Sequence, residues 1–415
     1  MNNNNNLNPS KYLGNEIDYL QKVLNSDSWS STSGSWCQLF EKQFSELIGV
    51  KYAVAMNSGT ATLHSALEAI GVGPGDEVIS PAFTVFMDTA ATLHANAIPV
   101  DADIDPYTFN ISPEEIRKKI TSKTKAIITV GIYGLSPDMD PIMKIAEENN
   151  IVVIEDNAQC LLNTYKGRQA GTIGHIASYS FENTKHLSCG EGGMIVTNDK
   201  YLAEMSRKAG GHGFKNLQAE EGRIKLNSDI FQRSDYKRHS DLGWNYRMPE
   251  FNAAIGLAQL ENANKLQQLR IDSAAFFLEV MEEADFLIPQ KTPEGYTNSY
   301  YTLGVLYKGE ESIGLSWSDF RRAYIDEGGD AIYGAWSVPY LEPVMHERRY
   351  VKRYPEIYNN VFYNKGDCPV AEEVQQQLMQ FKTNYRDLGL ARKKAEILRK
   401  VIRHLKRISG AKKNK

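Results

Sequence analysis

Cysteine is scarce in this chain and makes no pattern. Its four residues, Cys37, Cys160, Cys189 and Cys368, stand far apart. They lack the short spacings of a metal knuckle or a disulfide framework, so no metal is expected and the set reads as reduced and cytoplasmic. Long apolar runs are missing as well. No stretch approaches the roughly 18 residues that a membrane span requires, so no membrane partner is expected. The opening Met1-Asn-Asn-Asn-Asn-Asn6 has no apolar core of a secretion signal. Charge of one sign is also absent. A net charge of −4 excludes the basic footprint of a nucleic-acid binder. No internal repeat is visible.

What is present suits a multidomain globular protein. The 415 residues are 42% hydrophobic and 24% charged, enough for two or three domains of roughly 150 residues each. Strand-like runs at 52–56, 77–80, 98–101, 126–130, 151–154 and 193–197 alternate with helical patterns at 36–48, 61–70, 87–95, 112–120, 141–149 and 199–210. Several of the strands are continuous apolar runs. The pattern predicts an α/β fold with a mostly parallel sheet covered by helices on both faces. Residues 1–30 read as a polar N-terminal arm and 31–265 as the large domain. Residues 266–415 read as a smaller C-terminal α+β domain ending in a basic helix over 390–408. A long helix is expected from 251 to about 268, and a strand over 300–307.

Three polar features interrupt this pattern. Asn57-Ser-Gly-Thr60 lies between a strand and a helix. The free N–H groups there suit a phosphate, or Ser58 or Thr60 simply caps the helix. Glu155-Asp156-Asn157-Ala158-Gln159 closes a buried strand, where α/β folds place ligands; helix capping is the alternative. Lys185 follows the hydroxyls of Ser178 and Ser180 and precedes the cluster Gly190-Glu-Gly-Gly193. Lysine amines form Schiff bases with carbonyl compounds, pyridoxal phosphate among them; alternatively Lys185 is a solvated loop lysine. Taken together the three share one chemistry. Gly59, Thr60 and Ser180 can hold a phosphate, Asp156 can pair with a pyridine nitrogen, and Lys185 can attach the aldehyde.

These motifs carry a resemblance. Asn57-Ser-Gly-Thr-Ala-Thr-Leu63, Gly73-Pro-Gly-Asp-Glu-Val78, Glu155-Asp-Asn-Ala-Gln159, Ser180 with Lys185 and Gly190-Glu-Gly-Gly193, Asn245-Tyr-Arg-Met-Pro-Glu250 and Cys368-Pro-Val-Ala-Glu372 stand in order. With them the chain resembles the DegT/DnrJ/StrS sugar aminotransferases of pyridoxal-phosphate fold type I, from about residue 12 to about 380. The resemblance implies that Lys185 is the Schiff-base lysine and acid/base. It implies that Asp156 binds the pyridine nitrogen and that Gln159 lies against the ring or its 3′-oxygen. It implies that Gly59, Thr60 and Ser180 hold the phosphate. Asn245 would reach the cofactor of a neighbouring subunit, which implies a homodimer. The implied reaction moves an amino group from glutamate or glutamine to a nucleotide-linked keto sugar.

The sequence departs from the family in places. Val85 stands where an aromatic residue usually stacks on the cofactor, with Phe83 and Phe86 as substitutes. The segment Trp336-Ser-Val-Pro-Tyr-Leu-Glu-Pro343 replaces a histidine-containing run, and the tail after about 385 extends past the usual end. Family members with histidine in place of the lysine are dehydratases, and here Lys185 and His186 are adjacent. Counting from Ser180 favours Lys185 and transamination; a sugar dehydratase and a non-catalytic cofactor-binding regulator are the alternatives. The charged cluster Arg233, Lys237, Arg238 and His239 reads either as a solvated loop or as a loop that meets an anionic sugar diphosphate.

Overall fold

The computed structural model describes residues 14–413, with the side chains of residues 14–408. Its strands are β1 (Tyr52–Met56), β2 (Glu77–Pro81), β3 (Ile98–Ala102), β4 (Thr124–Val130), β5 (Val152–Asp156), β6 (Thr164–Tyr165), β7 (Arg168–Gln169), β8 (Ile176–Ser180), β9 (Gly193–Thr197), β10 (Leu287–Pro289), β11 (Leu303–Tyr307) and β12 (Leu378–Phe381). Seven of them form one sheet in the order β1-β9-β8-β5-β4-β2-β3. Strands β3, β2, β4, β5 and β8 run parallel, and β9 is antiparallel to both β8 and β1. This is the expected α/β layering. It forms because β4 and β5 carry apolar residues on both faces. Ile127, Ile128, Val153 and Ile154 are fully buried, each worth about 1.5–3 kcal/mol of transfer free energy.

The sheet places the polar features together. Asp156 ends β5 and Ser180 ends β8. Strand β9 runs the other way, so its first residue, Gly193, pairs with both Ser180 and Met56, the last residue of β1. All of these lie on one edge, the carboxyl edge of the parallel strands, where such folds bind ligands.

A second, antiparallel sheet, β10-β11-β12, packs against the helices Ala263–Met281 and Leu388–Lys413. Arg399 bonds Glu279 at 2.7 Å and Arg403 bonds Glu283 at 2.9 Å, which ties the two helices together. Part of the basic face of the last helix is therefore paired within the fold. Leu306 and Leu378 also join the core beneath the large sheet.

Three expectations need correction. The helix expected over 251–268 is two helices, Glu250–Leu260 and Ala263–Met281. Asn262 lies between them at φ −111°, and its side-chain amide donates to the Ala258 carbonyl at 3.3 Å. Asparagine competes with helical hydrogen bonding in this way. The arm assigned to residues 1–30 contains a helix, Glu16–Leu24; residues 1–13 lie outside the described residues. Its Val23 is fully buried, and Gln259 donates to the buried Glu16 carboxylate at 2.6 Å. So short an element, anchored by a polar contact, carries little apolar periodicity. The strand expected over 300–307 begins only at Leu303, because Tyr300 sits at a left-handed φ of 45°.

Candidate active site

A cavity of about 1000 Å³ opens at the carboxyl edge of the large sheet and reaches the small sheet. Ser58, Gly59, Thr60, Asp156, Gln159, Ser180 and Lys185 all line it. Every expected site residue except Asn245 is therefore gathered at one place.

The start of the helix Gly59–Ala69 forms one wall. Extended Ser58 caps it, its Oγ accepting from the Ala61 N–H at 3.1 Å, while its carbonyl accepts from Thr62. Among the described residues no acceptor meets the N–H groups of Gly59 and Thr60. The capping and anion-binding readings therefore hold together: Ser58 caps, and the first two N–H groups remain for a ligand. Ser180 closes this corner. A Cβ on Gly59 would lie 3.0 Å from the Ser180 Cβ. A Cβ on Gly193 would lie 2.5 Å from the Ser58 carbonyl oxygen, so only glycine lets β9 come so near the helix start.

Glu155 and Asp156 leave β5 on opposite sides. Glu155 turns away from the cavity and accepts from the N–H groups of Gly171 and Ile173, both at 2.8 Å. It anchors a loop. Asp156 turns into the cavity, its Oδ1 held by the Ala158 N–H at 2.9 Å. Burial raises its pKa, opposed by the Ala158 N–H and the charge of Lys185. Gln159 is aimed by the Tyr133 N–H, which donates to its Oε1 at 3.0 Å. That leaves its amide N–H groups as donors. Tyr133 itself adopts a left-handed φ of 58°.

Lys185 sits half-buried, its Nζ 4.7 Å from the centre of the Tyr301 ring. Its loop is held from behind by Arg270. This buried guanidinium donates to the carbonyls of Thr184 at 2.9 Å, Lys185 at 3.1 Å and Tyr301 at 2.6 Å. His186 turns the other way. It is buried outside the cavity lining, and its Nε2 bonds the Ser299 carbonyl at 3.0 Å. Burial, with Arg270 nearby, drives its pKa well below the usual value. The register is therefore fixed: the lysine, not the histidine, faces the cavity.

The family model for the DegT/DnrJ/EryC1/StrS aminotransferases matches residues 12–386. The chain belongs to this family. GDP-perosamine synthase of Caulobacter vibrioides is 41% identical over 252 residues, 61% of this chain and 63% of that protein. The match thus spans less than two thirds of that relative's length. SpsC, a spore coat polysaccharide biosynthesis protein of Bacillus subtilis, is 37% identical over 357 residues, 86% of each chain. Among solved structures, an aminotransferase from Psychrobacter cryohalolentis superposes with a TM-score of 0.81 at 30% identity, covering 95% of this chain and 96% of that one.

Within this family the departures now have positions. Val85 lines the cavity beside Phe83. Phe86 does not; it packs with Leu93, Met345 and Tyr350 in a separate apolar cluster. Of the divergent segment at 336–343, Trp336 and Val338 reach the cavity. Tyr340 is buried against Glu372. The cluster of Arg233, Lys237, Arg238 and His239 does not line this chain's cavity. Arg233 pairs with Asp235 at 2.6 Å, Arg238 donates to the Phe231 carbonyl, and His239 bonds the His212 carbonyl at 2.7 Å. Among the described residues Arg233 alone of this cluster is paired with an acid. Asn245 is exposed and outside the cavity.

Arg270, Tyr301, Lys382, Asp330 and Asp88 escaped sequence reasoning. The first four reach the cavity from beyond residue 265, and Asp88 is fully buried and accepts from Thr84 of the cavity wall. Their only signal was charge or an aromatic ring near an element end, which is common on any surface.

Proposed function

We propose that this enzyme transfers an amino group from glutamate or glutamine to a nucleotide-linked keto sugar, using pyridoxal 5′-phosphate bound at the cavity. The observation that carries the reading is the position of the Lys185 amine inside the cavity while its neighbour His186 is turned away. A dehydratase of the kind that uses histidine at this place would need the opposite arrangement.

The residues present fit the cofactor. Two unpaired N–H groups at a capped helix start and the Ser180 hydroxyl match a phosphate. A buried carboxylate suits a ring nitrogen, and a cavity amine suits an aldehyde. When bound, pyridoxal phosphate supplies the aldehyde carbon and an electron-accepting ring. The protein's residues divide the remaining work. Gly59, Thr60 and Ser180 would hold the phosphate. Asp156 would face the ring nitrogen as its counter-charge, and Gln159 would hold the 3′-oxygen. Lys185 would hold the aldehyde through its amine and would serve as the acid/base for the donor's α-proton.

The name of the Caulobacter relative favours a GDP-linked acceptor related to perosamine. We place the enzyme in the cytoplasm, with 1–30 as an N-terminal segment, 31–265 as the cofactor-binding domain and 266–415 as the small domain. Asn245, exposed on its loop, would serve the cofactor of a second copy in a homodimer. Among the described residues no helix is long and apolar enough to cross a membrane.

The test is to incubate the holoenzyme with glutamate or glutamine and a panel of GDP-, UDP- and dTDP-linked keto sugars, and to read products by mass spectrometry. An amino sugar formed by the native enzyme and not by Lys185→Ala supports the reading. A dehydrated sugar, or equal amination by Lys185→Ala, refutes it.

A further inference from the structure

Tyr301 stands just before β11, half-buried in the cavity wall. Its backbone carbonyl is held twice, by the Arg270 guanidinium at 2.6 Å and by the Thr383 hydroxyl at 3.1 Å. Its ring is held as well. The Tyr301 hydroxyl lies 2.8 Å from the Thr184 hydroxyl, and that hydroxyl lies 2.6 Å from Glu182 Oε2. The direction of this chain follows from its end. A carboxylate only accepts, so the one proton of the Thr184 hydroxyl goes to Glu182, and Tyr301 donates to Thr184. A phenol that donates in such a chain gains electron density, and the face of its ring attracts a cation more strongly.

The cation in place is Lys185. Its Nζ lies over this ring, 4.7 Å from the centre, inside the roughly 6 Å reach of a cation–π contact. Among the described residues no acid forms an ion pair with Lys185. The charged groups around it come from three elements. Asp156 at the end of β5 feels its charge, and Glu182 shares its loop. Arg270, from the helix Ala263–Met281, lies 5.6 Å from the centre of the same ring and is engaged by backbone carbonyls. His186, next in the chain, is turned away toward the Ser299 carbonyl.

We propose that Tyr301 is a positioning residue whose ring receives the protonated amine of Lys185 whenever that amine is not joined to the cofactor, and keeps it inside the cavity. The inference rests on the cofactor assignment above. It adds the group that holds the lysine's acid form while the lysine is free. Glu182 and Thr184 set the ring's orientation, and Arg270 and Thr383 set its backbone. The ring face binds the cation without a directed bond, so the amine stays free to swing back.

The experiment measures how fast the free amine reacts. The cofactor is released from the full-length enzyme with hydroxylamine, and a trace pulse of acetic anhydride labels the amines. The Lys185 peptide is read by mass spectrometry against exposed Lys51 in the same digest. At about pH 8, Tyr301→Leu should label about fivefold faster than wild type, the scale of one such contact. Tyr301→Phe keeps the ring and should stay within about twofold. At about pH 11, above the ordinary lysine value of about 10.4, wild type and Tyr301→Leu should label alike, because a neutral amine gains little from the ring. A ring that merely shields the amine would keep the two apart. Equal rates at the lower pH, a gap that persists at the higher one, or a fivefold rise in Tyr301→Phe each overturn the proposal. Should Tyr301→Leu not fold, Tyr301→Phe carrying one, two or three ring fluorines decides alone. Fluorine drains the ring face and nearly keeps its shape, so labelling should quicken with each fluorine; a flat series overturns the proposal. Borohydride trapping on Lys185 is run first on the untreated enzyme. Its failure in wild type rejects the cofactor assignment itself, whereas trapping with no change in labelling rejects only the role of Tyr301.

Discussion

Replacing Arg270 by leucine should loosen the Lys185 loop more than it unfolds the protein. The guanidinium donates to the carbonyls of Thr184, Lys185 and Tyr301. Two of these bonds hold the loop, and at roughly 1.5–3 kcal/mol per charged hydrogen bond they contribute about 3–6 kcal/mol. Against this stands the cost of burying a cation, several kcal/mol that the leucine no longer bears. Burial already lowers the guanidinium pKa to about 10, which shows the desolvation at work. The net change is about 2 kcal/mol. Felt at the loop, that is about 30-fold in cofactor retention. The assay is equilibrium dialysis of the holoenzyme with absorbance readout, run beside a thermal melt. Arg270→Lys should recover part of the loss, since an ammonium can reach one carbonyl but not several. Cofactor retention within twofold of wild type in Arg270→Leu would refute the assignment of Arg270 as the support of this loop.

Other expectations follow from the same geometry. His186 is neutral in the fold because burial lowers its pKa. Unfolding therefore takes up a proton once the pH falls below the ordinary value of about 6.5, and stability drops by up to about 1.4 kcal/mol per pH unit from this group. His186→Gln should remove that part of the acid slope in urea melts while leaving transamination intact. Gly59→Ala brings a methyl to 3.0 Å from the Ser180 Cβ and should cost about 1–3 kcal/mol by overpacking, with weaker binding of cofactor phosphate seen in the same dialysis. Val85→Phe restores an aromatic ring to the cavity wall, and stacking worth about 0.5–1.5 kcal/mol should slow cofactor loss about two- to tenfold on dilution.

The sequence was most legible where chemistry and periodicity coincide. Strands β1 and β9 match their expected limits, 52–56 and 193–197, because polar loops bound short apolar runs there. The cavity residues from Gly59 to Lys185 were readable because each ends or follows a strand, and parallel strands bring their ends to one edge. What stayed hidden depends on distant partners. Arg270 looks like any helix arginine until the fold buries it beneath the Lys185 loop. Asp88 reads as an ordinary first-turn acid until the fold buries it completely. The helix break at Asn262 rests on one side-chain bond, and Glu16–Leu24 is anchored by Gln259, far along the chain. The choice between Lys185 and His186, a matter of one residue in sequence, turns on the direction in which each side chain leaves the loop.

That choice is open to a direct measurement. The purified holoenzyme is reduced with borohydride, digested, and its peptides are read by mass spectrometry. The cofactor should be found covalently fixed to Lys185 alone, and Lys185→Ala should give no modified peptide. Cofactor that leaves freely after reduction, or that maps to another residue, would contradict the assignment of Lys185 as the anchoring amine.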